Sequence, residues 1–248
     1  MAPKARGSAA DPQMEEAPAS PLRAGGPQGL AEPAFLEVFN RAVKPEARTL
    51  SPFTWLNLLE AEGACYLGVV NDLRVHGPLY GHFGAVRETG VPHNALVRFE
   101  AALGRVAYDL LTQQPVPLSA AGAASRVALD LPPGGARLLV LLPETIGRLE
   151  LQAQLEPVEW GDHRGRRVAV HATLLDVQGR IVPGLIPATL TWRHPDGSRS
   201  DFSHHTVFHR GVLDSALPVL ANGPAGAWRV HLLERASGRT AEVEVSVR

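Results

Sequence analysis

Imidazoles crowd one late stretch of the chain: His204, His205 and His209, with His194 a little earlier. Zinc takes imidazole nitrogens at about 2 Å, so a metal reading needs two or more of these rings to converge. If residues 201–209 form a strand, His204 and His205 point to opposite faces. His205 and His209 then share a face but stand roughly 13 Å apart at about 3.3 Å per residue. A mononuclear site would need a ligand from another strand. His205 and His209 remain weak candidate ligands, solvated strand histidines are the simpler reading, and no cofactor is expected. Carboxylates offer two pairs, Glu60 with Glu62 and Asp109 with Asp130, that glycosidic acid–base chemistry could use at a separation of about 5–9 Å. Acidic residues at turns and on outer strand faces are the ordinary alternative. The single cysteine, Cys65, lies in an apolar run and reads as core packing. His76 follows it with no motif around it.

Aromatic residues offer binding chemistry instead. Trp55, Trp160, Trp192, Trp228 and Tyr80 could include a platform that stacks on sugar rings. Trp192 and Trp228 share strand faces with aliphatic residues and are expected in the core. Trp160 sits in a polar stretch, Glu159-Trp160-Gly161-Asp162-His163, and is expected to be exposed. Trp160 and Tyr80 are therefore the candidate carbohydrate contacts, with a lid over the end of a sandwich as the other reading of Trp160. Among sequence signatures of catalysis, P-loop, GxGxxG, GxSxG and HExxH are all missing. No catalytic residue is assigned.

The elements that must position these residues follow from periodicity. Residues 1–33 hold six of the 21 prolines, Pro3, Pro12, Pro18, Pro21, Pro27 and Pro33, among Ala, Gly and Ser. Such a segment buries too little apolar surface to offset chain entropy and is expected to be disordered. Lys4 and Arg6 precede no apolar stretch of signal-peptide length, so no signal peptide is expected. Phe35, Leu36, Phe39 and Val43 then recur at helical spacing, predicting one short helix that Pro45 ends. Beyond residue 50 the period becomes 2. Val127, Leu129 and Leu131 alternate with Arg126, Ala128 and Asp130, as Leu149, Leu151, Ala153 and Leu155 do with polar neighbours. Each set marks a strand with one buried face. Turn residues at Asn71-Asp72, Pro132-Pro133-Gly134-Gly135 and Glu144–Gly147 punctuate them. The last hundred residues repeat the pattern, with Phe202, Thr206 and Phe208 expected on one strand face. About seven strands in about 100 residues is the size of an immunoglobulin-like sandwich. The predicted fold is all-β: a disordered segment over 1–33, a sandwich with a short leading helix over 34–143, and an Ig-like sandwich over 144–248.

Charge narrows the partners. Twenty-four basic and 25 acidic residues leave a net charge of −1, which gives no electrostatic case for nucleic acid. No apolar run is long enough to predict a spanning helix.

Several phrases resemble known modules. Glu62-Gly63-Ala64-Cys65-Tyr66-Leu67 leads to Val69-Val70-Asn71-Asp72. Then come Val106-Ala107-Tyr108-Asp109-Leu110-Leu111 and Leu129-Asp130-Leu131-Pro132-Pro133-Gly134-Gly135-Ala136-Arg137-Leu138. Over residues 50–143 this resembles the C-terminal β-sandwich of multidomain glycoside hydrolases, beta-galactosidase-like ones included. Residues 145–248, through Leu175-Asp176-Val177-Gln178-Gly179, Pro195-Asp196-Gly197 and Gly226-Ala227-Trp228-Arg229-Val230, resemble macroglobulin-like and related bacterial Ig-like modules. The resemblance implies an exported parent, although no signal peptide is visible. It also implies a non-catalytic tail, because the catalytic residues of those hydrolases reside on a barrel of about 250 residues. Expected partners are a glycoside hydrolase catalytic domain or a polysaccharide. Three functions are carried forward: an accessory sandwich acting by domain packing or protein contact, a carbohydrate-binding module using exposed aromatic residues, and a small histidine-dependent metal hydrolase.

Overall fold

Alternating side chains and frequent turns leave little but strands. The structure, a computed structural model, describes residues 46–80, 85–160, 163–219 and 223–247. The expected disordered segment and leading helix lie outside the described residues. In chain order the first strands are β1 (Ala47–Thr49), β2 (Thr54–Ala61), β3 (Ala64–Asn71), β4 (Arg74–Tyr80), β5 (Ala85–Gly90), β6 (His93–Glu100), β7 (Val106–Asp109), β8 (Gln114–Val116), β9 (Ser119–Ala121), β10 (Ala124–Leu131) and β11 (Ala136–Leu142). Then follow β12 (Ile146–Trp160), β13 (His163–Asp176), β14 (Leu185–Arg193), β15 (His204–His209), β16 (Val212–Val219), β17 (Gly226–Glu234) and β18 (Thr240–Val247). No α-helix occurs among the described residues.

The first eleven strands build a sandwich and a ribbon. One layer runs β1-β6-β10-β9, the other β2-β3-β11-β7-β8, and β4-β5 forms a separate two-stranded ribbon. Leu67 and Val69 of β3, Val97 and Phe99 of β6, Val127 of β10 and Leu139 and Leu141 of β11 meet between the layers, almost wholly buried. Each such side chain contributes about 1.5–3 kcal/mol. Their intervening neighbours face outward, as a period of two requires.

The last seven strands form one antiparallel sheet in the order β12-β13-β16-β15-β14-β17-β18. Only one residue pair, His209 with Val212, joins β15 to β16. The sheet bends there, so that Val168, Val170, Ala172 and Leu174 of β13 share a core with Leu190 and Trp192 of β14 and Val230 and Leu232 of β17. The result is a sandwich of Ig-like connectivity, with the first, second and fifth strands in one layer and the fourth, third, sixth and seventh in the other. Trp192 and Trp228 lie in this core, 1% and 7% exposed. Phe202 corrects one expectation. It sits in the turn before β15, exposed, because Ser200 and Ser203 knit that turn by hydrogen bonds to Trp192 and to one another.

No described strand of Ala47–Leu142 enters the seven-stranded sheet. The two sets are nonetheless joined within one compact unit, Glu46–Arg248. Ala64, Tyr108, Leu110, Val140 and Leu142, on the outer face of the five-stranded layer, belong to the same buried cluster as Ile146, Val182 and Ile186. The Tyr66 hydroxyl accepts from the Leu185 amide at 2.6 Å and donates to its carbonyl at 2.9 Å. The Tyr108 hydroxyl accepts from the Ile146 amide at 3.0 Å.

Candidate functional site

The second sandwich covers only part of that outer face. Trp55 and Leu59 of β2 pair across the strands with Val70 and Tyr66 of β3, and Gly68 pairs with Asn57 on one side and Leu138 of β11 on the other. These residues share a face, since directly opposed side chains in an antiparallel ladder lie on the same side. Tyr66 is taken up by Leu185, but Trp55 is 66% exposed, Leu59 56%, Val70 41% and Leu138 38%. An indole and three aliphatic side chains thus stand in the open beside the inter-sandwich contact.

The indole is oriented. Trp55 Nε1 donates to Asp72 Oδ2 at 3.0 Å, and Arg74 Nε donates to the other oxygen at 2.9 Å. The Trp55 hydrogen bond foremost, then that from Arg74, holds the Asp72 carboxyl below its ordinary range, so it stays an acceptor. Buried Asn71 fixes the chain just before it. Its Nδ2 donates to the carbonyls of Val91 at 2.8 Å and Pro132 at 2.9 Å, and its Oδ1 accepts from the Leu73 amide. The face can bind an apolar surface and fix its orientation through the held indole.

The histidines do not converge. His205 Nδ1 lies 3.1 Å from Thr189 Oγ1, and His209 Nδ1 lies 3.3 Å from Glu62 Oε1. His204 Nδ1 is 2.7 Å from the Phe202 carbonyl, while His194 packs edge-on against Trp228 with ring centroids 4.5 Å apart. Among the described residues no group of three or more His, Cys, Asp and Glu side chains is placed to hold a metal ion. Asp109 and Asp130 stand in different layers. Asp109 belongs to the five-stranded layer, where Arg137 approaches at 3.4 Å, and Asp130 to the four-stranded layer, bound to Asn94. Cys65 is buried, and burial foremost, then Glu60, pushes its thiol up, away from the nucleophilic thiolate. Backbones of Trp160 and Tyr80 end β12 and β4, but their side chains lie outside the described residues.

One constellation escaped the sequence reading. On the outer face of β13 and β16, His171 Nδ1 lies 2.8 Å from Asp214 Oδ1, and His171 Nε2 lies 3.3 Å from Thr173 Oγ1. The order carboxylate, imidazole, hydroxyl matches that of a hydrolytic triad. His171 and Asp214 border an open trough of about 660 Å³ over Ala169 and Ala216, with Gln152, Gln154, Glu156 and Arg167 along its other sides. Yet β13 is paired with β12 on one side and β16 on the other, which commits its amides to the ladder. No amide pair there is free to stabilise an oxyanion, and both acid and imidazole are solvated, 77% and 53% exposed. The signal missed is register: His171 meets Asp214 only because β13 pairs with β16.

Fold and face together define an all-β, double-sandwich chain with an apolar, indole-bearing sheet surface. No family model matches it, and neither a curated protein nor a solved structure shows significant similarity.

Proposed function

We propose that this chain is a non-catalytic accessory β-sandwich protein that works by protein contact through the outer face of its five-stranded sheet. The observation that carries this reading is Trp55, exposed yet oriented by Asp72, among Leu59, Val70 and Leu138. Tryptophan is over-represented among residues that dominate protein–protein affinity, and contiguous exposed apolar surface marks contact sites. The same face already carries one docking contact, to the second sandwich, through Tyr66, Tyr108 and Val140. The resemblance to hydrolase tails would make a catalytic barrel the partner, whereas the geometry asks only for an apolar protein surface.

A second reading is carbohydrate binding. It draws support from the polar groups Asn57, Asp72 and Arg74 beside the indole. Leu59, Val70 and Leu138 weigh against it, since sugar rims need donors and acceptors around the stacked ring. A photo-crosslinking residue in place of Leu59 tests the first reading, with one in place of the exposed Val177 of the second sandwich as control. Crosslinking to protein at position 59, absent at 177 and lost on Trp55→Ala, is the expected result. Equal labelling at both positions overturns the reading. Trp55-dependent retardation in polysaccharide gels would replace it by the carbohydrate one.

A further inference from the structure

Strand β2 is the edge of the five-stranded sheet; among the described residues no strand pairs with it on the side away from β3. Which of its backbone groups face outward follows from the ladder. The Asp72 amide donates to the Phe53 carbonyl at 2.8 Å. Hydrogen-bonded pairs alternate along an antiparallel ladder, so Trp55, Asn57 and Leu59 bond to β3 while the amides and carbonyls of Thr54, Leu56, Leu58 and Glu60 point away from it. An eight-residue edge usually carries a defence: a lysine, a proline or a bulge. β2, Thr-Trp-Leu-Asn-Leu-Leu-Glu-Ala, has no lysine, proline or bulge; its one charge, Glu60, stands near the end of the strand, and its pairing with β3 is regular throughout. Its inner-face residues Leu56 and Leu58 are only partly buried, because the layer stops there.

We infer that β2 pairs with β2 of a second copy of this chain, antiparallel about a two-fold axis through Asn57, joining two five-stranded sheets into one. The inference rests on the protein-contact reading above and names its partner. Self-complementarity selects both occupant and register. With the axis at Asn57, the outward-facing backbone groups of Leu56 meet those of Leu58 of the other copy, and those of Thr54 meet Glu60. On the outer face Trp55 lies against Leu59 of the second copy in a non-hydrogen-bonded pair, the closer of the two spacings. On the inner face Leu56 lies against Leu58. Every apolar residue from Trp55 to Leu59 thereby gains an apolar partner, the two Asn57 amides meet at the axis, and each Glu60 faces a threonine. Moving the axis to Leu56 sets Trp55 against Asn57. Moving it to Leu58 sets Glu60 against Leu56 and Asn57 against Leu59. A net charge of −1 opposes neither copy's approach. A pairing confined to one strand and its side chains is at the small end of stable interfaces, so association in the micromolar to millimolar range is expected.

The test uses the full chain and position 57, whose side chain is exposed and whose backbone bonds belong to the internal ladder. Sedimentation equilibrium over a rising concentration series should show wild type passing from monomer to dimer. Asn57→Lys and Asn57→Asp should each remain monomeric at concentrations where wild type is dimeric, because like charges meet at the axis. An equimolar mixture of the two should restore the dimer mass. Val177→Lys should leave the wild-type curve unchanged, and identical denaturation curves would show that all variants fold. Wild type that stays monomeric, an Asn57→Lys protein that dimerises like wild type, or a mixture that does not recover each overturns the inference. If the chain stays monomeric while crosslinking from position 59 still captures another protein in a Trp55-dependent way, self-pairing falls and the contact reading stands. If both are lost, the contact reading falls with it.

Discussion

Two carboxylates show how environment divides identical chemistry. Glu234, at the end of β17, is fully buried; it accepts from the Ala236 amide, from the Ser237 amide at 3.0 Å and from the Ser237 hydroxyl at 2.5 Å. Burial pushes its carboxyl above the ordinary 4.5, and these hydrogen bonds offset that only in part. A carboxyl raised in the fold contributes stability that is fully present below the unfolded value and is lost as pH rises through the folded one. Glu234→Gln keeps an acceptor for the amides and turns a donor toward Ser237. It should flatten the decline in unfolding free energy above pH 4.5, measured by denaturant titration at several pH values. Matching slopes would remove Glu234 as the source. Asp72 has the opposite sign. Its carboxyl is depressed, so its hold on the Trp55 indole persists above 3.8 and is lost only as pH falls through a lower value. The Trp55 indole proton resonance should therefore titrate with a midpoint below 3.8, and this titration should vanish in Asp72→Ala. Trp55→Ala itself should change stability by less than about 0.5 kcal/mol, since the side chain is exposed.

Turns decide where the sandwiches touch. Glu62 and Gly63 close the β2–β3 hairpin with φ of 50° and 85°, the two positive angles of a type I′ turn. That turn presents Glu62, whose carboxylate accepts from the Arg210 amide at 3.0 Å, to the second sandwich. Opposite it, Gly184 has φ of 97°, and a Cβ there would collide with Ala64 Cβ and stand 2.9 Å from the Tyr66 hydroxyl oxygen. Gly179, at φ of 78°, has open space around it. Both Gly→Ala changes strain the backbone, by about 1–3 kcal/mol, but only Gly184→Ala also pries at the junction. Its loss of stability in denaturant titration should exceed that of Gly179→Ala; equal losses would show that the junction yields without cost.

Because the buried cluster runs from Val140 and Leu142 into Ile146 and Val170, the two sandwiches share a core. Calorimetry should therefore record one cooperative transition for Glu46–Arg248. Tyr66→Phe leaves both the amide and the carbonyl of Leu185 without their hydroxyl partner, at a cost of about 1–3 kcal/mol. In that variant the calorimetric enthalpy should begin to exceed the van't Hoff value as the halves uncouple. A wild type that already melts in two steps would contradict the shared core.

Local alternation determined the strands and the burial of Trp192 and Trp228, because a period of two assigns each side chain to a face without reference to distant chain. Pro132-Pro133-Gly134-Gly135 likewise declared the β10–β11 turn through its own backbone preferences. Phe202 departs from the alternation because it lies in a turn held by Ser200 and Ser203, whose hydroxyl contacts carry no periodic signal. Tertiary structure alone decided which outward faces stay open. Val140 and Leu138 lie two residues apart on the same face of one strand, yet the first is covered by the second sandwich and the second is exposed. The pairing of His171 with Asp214, the coverage of Tyr66 and the exposure of Trp55 depend in the same way on register and docking between segments far apart in sequence. Contacts of that kind are long-range, and no residue's neighbours along the chain encode them.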